Sequence, residues 1–158
     1  MKYKILEIIE NCKKAEFANL ILRKLPEWFG NEKGILEYVN TVFKYPFWAA
    51  FDDEKCIGFF CGKIHYGRTG DIYVCGVDPI YHGKGIGTLL YKELEKYCVE
   101  NNCEYIIVKT LSDIAQYKPY LRTKEFYKKI GFKELLTLTE MWDNENPCLI
   151  MIKNLKLI

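Results

Sequence analysis

The sequence lacks the features that place a chain in several common protein classes: long apolar runs, an excess of one charge, and paired cysteine motifs. No apolar stretch approaches the ~18 residues that span a bilayer, and the N-terminal residues carry no signal-peptide core. The formal net charge is only +2, with lysines scattered among acids, which does not indicate nucleic-acid binding. These absences predict a soluble, cytoplasmic protein whose partners include neither a membrane nor a nucleic acid.

The seven cysteines are an odd number and include no Cys-x-x-Cys pair. Most of them lie inside apolar runs, which is typical of reduced, buried thiols and not of a disulfide framework or a metal site. We therefore expect no bound metal. The sequence also contains no internal repeat, low-complexity tract or linker, and its length of 158 residues suits one domain over residues 1–158.

The most informative stretch is His82–Leu90, in which three glycines separated by one residue each run into an amphipathic segment. Before it, Asp71–Val77 has the composition of a β-strand, and Pro79 ends that strand. After the glycines, apolar residues recur at spacings of three and four, as on a surface helix. These residues are Ile86, Leu89, Leu90, Leu94, Tyr97 and Cys98. The predicted local order is strand, glycine turn, helix.

A glycine turn that opens a helix is a favourable site for phosphate. Unpaired backbone N–H groups meet the positive end of the helix dipole there, and glycine has no Cβ to keep a pyrophosphate away. The Walker pattern is absent, and a dinucleotide fingerprint would need a glycine where Thr88 stands. The alternative is that the glycines only make a tight turn, but the flanking strand and helix favour the phosphate site.

The stretch His82-Gly83-Lys84-Gly85-Ile86-Gly87 resembles the acetyl-CoA motif of the GNAT superfamily of N-acetyltransferases, usually written Gln/Arg-x-x-Gly-x-Gly/Ala. Gly85 and Gly87 match the motif glycines, and His82 takes the place of the usual Gln or Arg. A second element, Phe126 to Phe132, resembles the family's later Tyr-x-x-x-Gly-Phe signature. Two motifs in the family's order are more specific than either motif alone.

The resemblance implies an α/β (α+β) fold with a mixed, mostly antiparallel sheet of six to seven strands, a central parallel βαβ crossover and about four helices. The sequence pattern agrees with this fold. Strands are expected over 3–9, 47–52, 56–66, 71–77, 105–110, 132–141 and 148–154, and helical stripes over 17–25, 35–43, 86–98 and 123–130. A homodimer that pairs through the last two strands is a further expectation.

The resemblance also implies a cofactor, acetyl-CoA, as the acyl donor. The backbone amides of the glycine turn would bind its diphosphate, with His82 as a further donor to a phosphate oxygen. A backbone N–H at the end of the central strand would bind the thioester oxygen as negative charge develops on it. The predicted cofactor-binding residues are Cys75, Val77, His82, Gly83, Lys84, Gly85, Ile86, Gly87 and Thr88.

Two side chains receive catalytic roles from the resemblance. Tyr127 matches the tyrosine that the family uses as general acid, and it would protonate the departing thiolate. Asp71 stands where histone-acetylating members carry a glutamate, which makes it the first candidate for the base that deprotonates the amine. The alternatives are that Tyr127 is a core residue and that Asp71 only caps a turn. His65 and Glu54 are weaker candidates for the base.

One departure from the family pattern concerns the last helix. Several family members have Asn and Ala seven and four residues before the motif tyrosine, where this sequence has Tyr120 and Thr123. The cofactor contacts of that helix and the subgroup of the family therefore do not follow from the resemblance.

The sequence thus predicts an N-acetyltransferase that moves an acetyl group from acetyl-CoA to a primary amine by direct attack. A small-molecule amine is favoured over a protein amine because several aromatic residues could line a pocket. These are Trp28, Phe29, Tyr45, Trp48 and Tyr120. The alternatives are a protein lysine or N-terminal acetyltransferase and a regulatory module that binds acyl-CoA without catalysis.

Overall fold

The computed structural model describes residues 2–112, 115–143 and 145–156. The α-helices are α1 (Asn11–Leu22), α2 (Glu32–Val39), α3 (Ile86–Glu100) and α4 (Lys118–Lys129), and short 3-10 helices span Val42–Lys44 and Pro79–Tyr81. The strands are β1 (Lys4–Glu7), β2 (Phe47–Asp52), β3 (Lys55–His65), β4 (Thr69–Val77), β5 (Tyr105–Leu111), β6 (Lys133–Asp143) and β7 (Asn146–Asn154).

Hydrogen bonds join these seven strands into one sheet in the order β1-β2-β3-β4-β5-β7-β6. The β4–β5 pair is parallel, whereas β1–β2, β2–β3, β5–β7 and β6–β7 are antiparallel. Because parallel neighbours need a crossover, α3 connects β4 to β5. The mixed, mostly antiparallel sheet with this crossover and four α-helices confirms the predicted fold class. No helix in the described ranges is long and apolar enough to cross a membrane.

The chain divides into two compact units. The expectation of a single domain therefore stays a prediction. One unit contains the residues up to Lys63 together with Tyr73–Tyr97, and the other contains Ile64–Ile72 together with the residues from Cys98 onward. In the first unit, α1 and α2 bury their apolar faces with β2, β3 and β4 in a core that includes Ile21, Leu22, Ile35, Phe47, Phe59 and Val74. In the second unit, the buried residues include Ile106, Val108, Tyr127, Phe132 and Met151.

Helix α1 shows where periodicity predicts an element but not its ends. The apolar stripe predicts a helix over 17–25, whereas α1 spans Asn11–Leu22 and Leu25 lies in the turn after it. The first turn of α1, from Asn11 to Lys14, carries no large apolar side chain and leaves no apolar spacing to detect. The helix and the turn after it approach β4 closely at Gly76, where a Cβ would lie 3.2 Å from the Cγ2 of Ile21 and 2.6 Å from the Cδ1 of Leu25.

Strand β4 extends beyond its ladder with β5. Its ladder with β5 joins Thr69–Ile72 to Tyr105–Val108, and β4 then continues to Val77. Val74 belongs to the apolar core of the first unit, and Tyr73 packs against that core. The second half of β4 therefore lies beside this core and beyond the last residue pair with β5.

Candidate functional site

Asp78 fixes the start of the segment that connects β4 to α3. Its carboxylate accepts a hydrogen bond from the N–H of Ile80 (3.1 Å), which begins the 3-10 helix Pro79–Tyr81, and its Oδ2 lies 3.0 Å from Lys24 Nζ. Its own N–H donates to the carbonyl of Ile57 (2.8 Å). Burial opposes ionisation of Asp78, but these hydrogen bonds and the Lys24 charge outweigh it and lower the pKa of this carboxyl.

Two further side chains hold the segment immediately before the glycines. Tyr81 donates a hydrogen bond to Asp52 (2.8 Å), and this bond, more than any other influence, raises the pKa of Tyr81 to about 12. His82 Nε2 lies 2.7 Å from the carbonyl of Val77, and because a carbonyl only accepts, Nε2 carries the proton. The ring of Trp28 packs edge-on against His82. The backbone segment from which the glycine turn begins is therefore held in a fixed position.

The glycine turn has the backbone conformation and the open surface that a phosphate site needs. Gly83 and Gly85 have φ of +76° and +80°, and a Cβ at either position would meet no atom within 4 Å. These glycines are therefore required by the backbone conformation and not by crowding. The carbonyl of Gly85 accepts a hydrogen bond from the N–H of Leu89 (3.1 Å), so the N–H groups of Ile86 to Thr88 lie in the first turn of α3. Such groups have no partner within the helix and attract anions.

Replacing Asp78 with asparagine should lower the free energy of unfolding by about 1 to 2 kcal/mol at neutral pH, because Lys24 loses a buried, hydrogen-bonded charge partner. Since the pKa of Asp78 is lowered on folding, its contribution exists above the pKa of the unfolded state and is lost as the pH falls. Urea titrations should therefore show a difference from wild type at pH 7 that shrinks below pH ~4.

The matched control is Glu16→Gln, because Glu16 pairs with Lys13 on the exposed surface of α1 (3.2 Å). Exposed pairs contribute roughly 0 to 1 kcal/mol, so this variant should stay close to wild type. Equal losses in Asp78→Asn and Glu16→Gln would show that the buried pair does not stabilise the loop segment.

The structure brings together two of the predicted candidates for the base, Asp71 and His65. Asp71 on β4 is only 4% exposed, and its Oδ2 lies 2.8 Å from Nε2 of His65, the last residue of β3. Lys109 Nζ on β5 lies 3.9 Å from the same oxygen. The side chain of His65 is 39% exposed, so the histidine and not the aspartate is accessible to a ligand. Glu54, by contrast, lies in the exposed turn before β3.

Tyr127 is held in place by the other residues of its motif. It is 4% exposed on α4, and its ring packs against those of Phe126 and Phe132, with centroids 5.4 and 5.8 Å away. Gly131 ends the helix with φ of +106°, which lets the N–H of Phe132 donate to the carbonyl of Tyr127 (2.9 Å). The spacing of the motif thus follows from a helix end that folds Phe132 back onto the tyrosine.

The aromatic residues predicted to line a pocket fall into separate contacts. Trp28 packs against His82, Phe29 against Tyr38, Tyr45 against Tyr73, Trp48 against Tyr97, and Tyr120 against Tyr117. Trp48 is a core residue at 4% exposure. Lys63, Tyr38 and Tyr73 were not among the predicted site residues, since only the pairing of β3 with β4 and the packing of α2 bring these residues together.

The fold and the turn together define a class of protein. A mixed sheet whose parallel β4–α3–β5 crossover begins its helix with an exposed glycine turn can bind the phosphates of a nucleotide-like cofactor. The acetyltransferase (GNAT) family model matches residues 15–132, well over half of the chain. The chain therefore belongs to the GNAT family of acetyltransferases, which confirms the predicted family and the predicted class of enzyme, an acyltransferase.

Individual relatives agree with the family. An uncharacterized N-acetyltransferase of Methanocaldococcus jannaschii is 29% identical over 113 residues, which cover 69% of this chain and 67% of the relative. An aminoglycoside 6'-N-acetyltransferase solved with coenzyme A matches with a TM-score of 0.75 and 21% identity over 96% of both chains. The ribosomal-protein-S18-alanine N-acetyltransferase of Escherichia coli matches with a TM-score of 0.76 and 15% identity, over 99% of this chain and 96% of that one.

These structural likenesses establish the fold. The names of the two solved enzymes point to different acceptors, an aminoglycoside and a ribosomal protein, although their TM-scores against this chain are almost equal. The fold therefore does not select the acceptor, which has to be argued from the side chains of this protein.

Proposed function

We propose that this protein transfers an acetyl group from acetyl-CoA to the primary amine of a small molecule by direct attack. The observation that carries the proposal is the glycine turn, whose exposed surface lies over the first N–H groups of α3. The amides of Lys84 to Thr88 would bind the diphosphate of the cofactor. An acetyltransferase with the same fold was solved with coenzyme A, which supports this choice of ligand.

His82 has a narrower role than a usual Gln or Arg in this position. Its Nε2 proton is used by the Val77 carbonyl, so the neutral ring has only an acceptor left at Nδ1. His82 would therefore act mainly by fixing the turn to the end of β4. It would donate to a phosphate oxygen only as an imidazolium, through Nδ1.

The backbone of Cys75 to Val77 is the proposed partner of the thioester oxygen. These residues lie beyond the last ladder pair with β5. A backbone N–H at this end of the strand would donate to the oxygen as negative charge develops on it.

His65 is the proposed general base, with Asp71 as the residue that positions it. An ionised carboxylate can only accept, so Nε2 of His65 donates to Asp71 and Nδ1 keeps its lone pair for the proton of the amine. The ammonium group of Lys109, on the neighbouring strand β5, lies close to the same Asp71 oxygen and balances its negative charge. The role of Asp71 thus changes from the direct base to the group that orients the base.

Direct attack is supported by the state of two thiols near the first core. Burial raises the pKa of Cys56 to about 11 and that of Cys61 to about 12. Both thiols stay protonated at neutral pH and are poor nucleophiles, because the thiolate is the reactive form. Neither residue is suited to carry the acetyl group as an intermediate.

Replacing Tyr127 with phenylalanine tests whether the protein is an enzyme or only binds acyl-CoA. If Tyr127 protonates the thiolate, kcat for release of free thiol from acetyl-CoA should fall about 10- to 100-fold. The KM for acetyl-CoA should change less than about twofold, since the variant lacks only the hydroxyl group. The assay measures free thiol during incubation with a panel of primary amines.

Tyr66→Phe is the control, because Tyr66 is 96% exposed in the turn after β3. Unchanged kcat in Tyr127→Phe would show that this tyrosine is not the acid. Binding of CoA without thiol release from any amine would instead favour the regulatory module.

A protein lysine or N-terminus remains the second candidate for the acceptor, supported by the fold likeness to an enzyme that acetylates a ribosomal protein. The small-molecule acceptor is favoured by the ammonium group of Lys63, which lies over the rings of Tyr45 and Tyr73. A homodimer through the closing strands also stays a proposal. It is supported by exposed Leu135, Leu138 and Met141 on β6, an edge strand of the sheet.

A further inference from the structure

A lysine ammonium group of β3 lies over two tyrosine rings, one on β4 and one in the connection before β2. Lys63 Nζ is 4.2 Å from the ring centroid of Tyr73 and 4.7 Å from that of Tyr45. We call these three residues, with Tyr38 and Thr41, the lysine–tyrosine cluster. Both ring distances are within the range of a cation–π interaction. The side chains of Lys63, Tyr45 and Tyr73 are each half-buried, so a small molecule can reach them.

The positive charge of Lys63 faces aromatic rings. Among the residues that the structure describes, no carboxylate pairs with Lys63, which contacts the two rings. Lys14 is a second ammonium group nearby, and it donates only to the carbonyls of Tyr45 (2.6 Å) and Phe43 (3.5 Å). The two lysine charges both act on the Cys61 thiol, where they oppose the effect of burial on its pKa. The surface of the lysine–tyrosine cluster is therefore favourable for binding an anion.

The rings below Lys63 are fixed before any ligand arrives. Thr41 Oγ1 donates to the carbonyl of Glu37 (2.8 Å) and accepts from the hydroxyl of Tyr73 (2.6 Å). Tyr38 packs edge-on against Tyr73, with centroids 5.3 Å apart. A ligand that binds here causes little further loss of side-chain conformational entropy, which favours affinity.

The lysine–tyrosine cluster is close enough to the proposed thioester position for one small molecule to reach both. Tyr73 is two residues before Cys75 on β4, which corresponds to roughly 7 Å along a strand. An acceptor with its carboxylate on Lys63 would thus place an amine near the backbone of Cys75 if only a few bonds separate the two groups. The rings of Tyr38, Tyr45 and Tyr73 offer apolar surface for the remainder of such a molecule.

We infer that Lys63 binds the carboxylate of the acceptor, and that the acceptor is a small amino acid with an aromatic or apolar body. This inference rests on the proposed function and adds the chemical class of the substrate. It disfavours polycationic amines such as aminoglycosides, because the Lys63 and Lys14 charges would repel them. It disfavours peptide N-termini as well, since their first residue carries no carboxylate next to the amine.

The test compares acceptors that differ only in the carboxylate. Thiol release is measured with L-phenylalanine, L-leucine and their amides, and with 2-phenylethylamine, in wild type and in Lys63→Met. Wild type should prefer each acid to its amide, although the amine of an amide is the less protonated of the two. Lys63→Met should lower kcat/KM for the acids about 10- to 100-fold, the range of a lost charge-assisted hydrogen bond, and change the amides less than about twofold.

Two further variants make the result specific. Lys63→Arg keeps the charge and should retain most of the preference for acids. Lys44→Met removes an exposed ammonium that lies 5.8 Å from the Phe43 ring. This variant should leave kcat/KM unchanged for both the acids and the amides. Thermal unfolding of each variant identifies loss of structure, and Lys63→Arg keeps the test informative if Lys63→Met unfolds.

The outcomes separate this inference from the proposed function. Equal loss with acids and amides in a folded Lys63→Met would show that Lys63 only packs on the rings. Faster acetylation of amines that lack a carboxylate by wild type would overturn the inference and leave the acetyltransferase proposal standing. If CoA does not bind and no amine supports thiol release, the proposed function itself fails.

Discussion

Replacing Gly85 with alanine should weaken the binding of CoA at least about a hundredfold, equivalent to ~2.7 kcal/mol, while the protein stays folded. Gly85 has φ of +80°, where a Cβ costs about 1 to 2 kcal/mol, so the alanine variant would relax towards negative φ. Relaxation would rotate the amides that open α3 away from the phosphate position. Because no protein atom lies within 4 Å of the added Cβ, the loss would not come from a clash within the protein. Calorimetric titration with CoA measures the affinity.

Gly67→Ala provides a matched control for this prediction. Gly67 also has a positive φ, +64°, and a Cβ there would also meet no atom within 4 Å. Gly67 lies in the turn between β3 and β4, so its replacement imposes similar strain without touching the turn before α3. Equal weakening in both variants would indicate a general loss of stability. Unchanged affinity in Gly85→Ala would remove the observation on which the proposed function rests.

Replacing His65 with glutamine should lower kcat/KM for a strongly basic alkylamine about 100- to 1000-fold, within the range of general base catalysis. An alkylamine has a pKa near ~10 and is almost entirely protonated at pH 7, so it depends on a base. An amino acid amide, whose amine has a pKa near ~8, is partly neutral and should lose much less. Glutamine keeps a hydrogen-bond donor for Asp71, so the variant removes the base and retains the contact. Thiol release with the two amines measures the difference.

Asp71→Asn separates the positioning residue from the base. The asparagine cannot stabilise an imidazolium on His65, so kcat should fall about tenfold with little change in the KM for the amine. Asp71→Glu, which keeps the charge, should recover part of this loss. Glu54→Gln, in the exposed turn before β3, should behave as wild type. A larger loss in Asp71→Asn than in His65→Gln would mean that Asp71 takes the proton itself.

The central part of the fold could be predicted from local patterns. The glycine turn and the stripe of α3 predict a strand, a turn and a helix, and the structure has β4, the turn and α3 at these positions. Element ends were less predictable, since the polar first turn of α1 has no apolar spacing. The predicted second helix ends at Val39, and a separate 3-10 helix, Val42–Lys44, follows it. Asn40 and Thr41 carry no apolar period that could distinguish one helix from two.

The candidate site was predictable only where function depends on neighbours in sequence. Tyr127, Gly131 and Phe132 belong to one helix end, so their spacing already indicated a motif. The relation between His65 and Asp71 was not visible, because it depends on the hairpin between β3 and β4. From the sequence they were separate candidates for one role, whereas in the structure they are in contact.

The sequence by itself determined the open turn before α3, because positive φ is accessible to glycine at little cost whatever surrounds it. It also determined the alternation of strands and helices, since apolar spacing is a property of neighbouring residues. Only the tertiary structure decided that Lys63 lies over Tyr45 and Tyr73 and that His65 meets a buried Asp71. Such contacts depend on strand register and on helix packing, which join residues far apart in the chain, and a one-residue shift in register would abolish them.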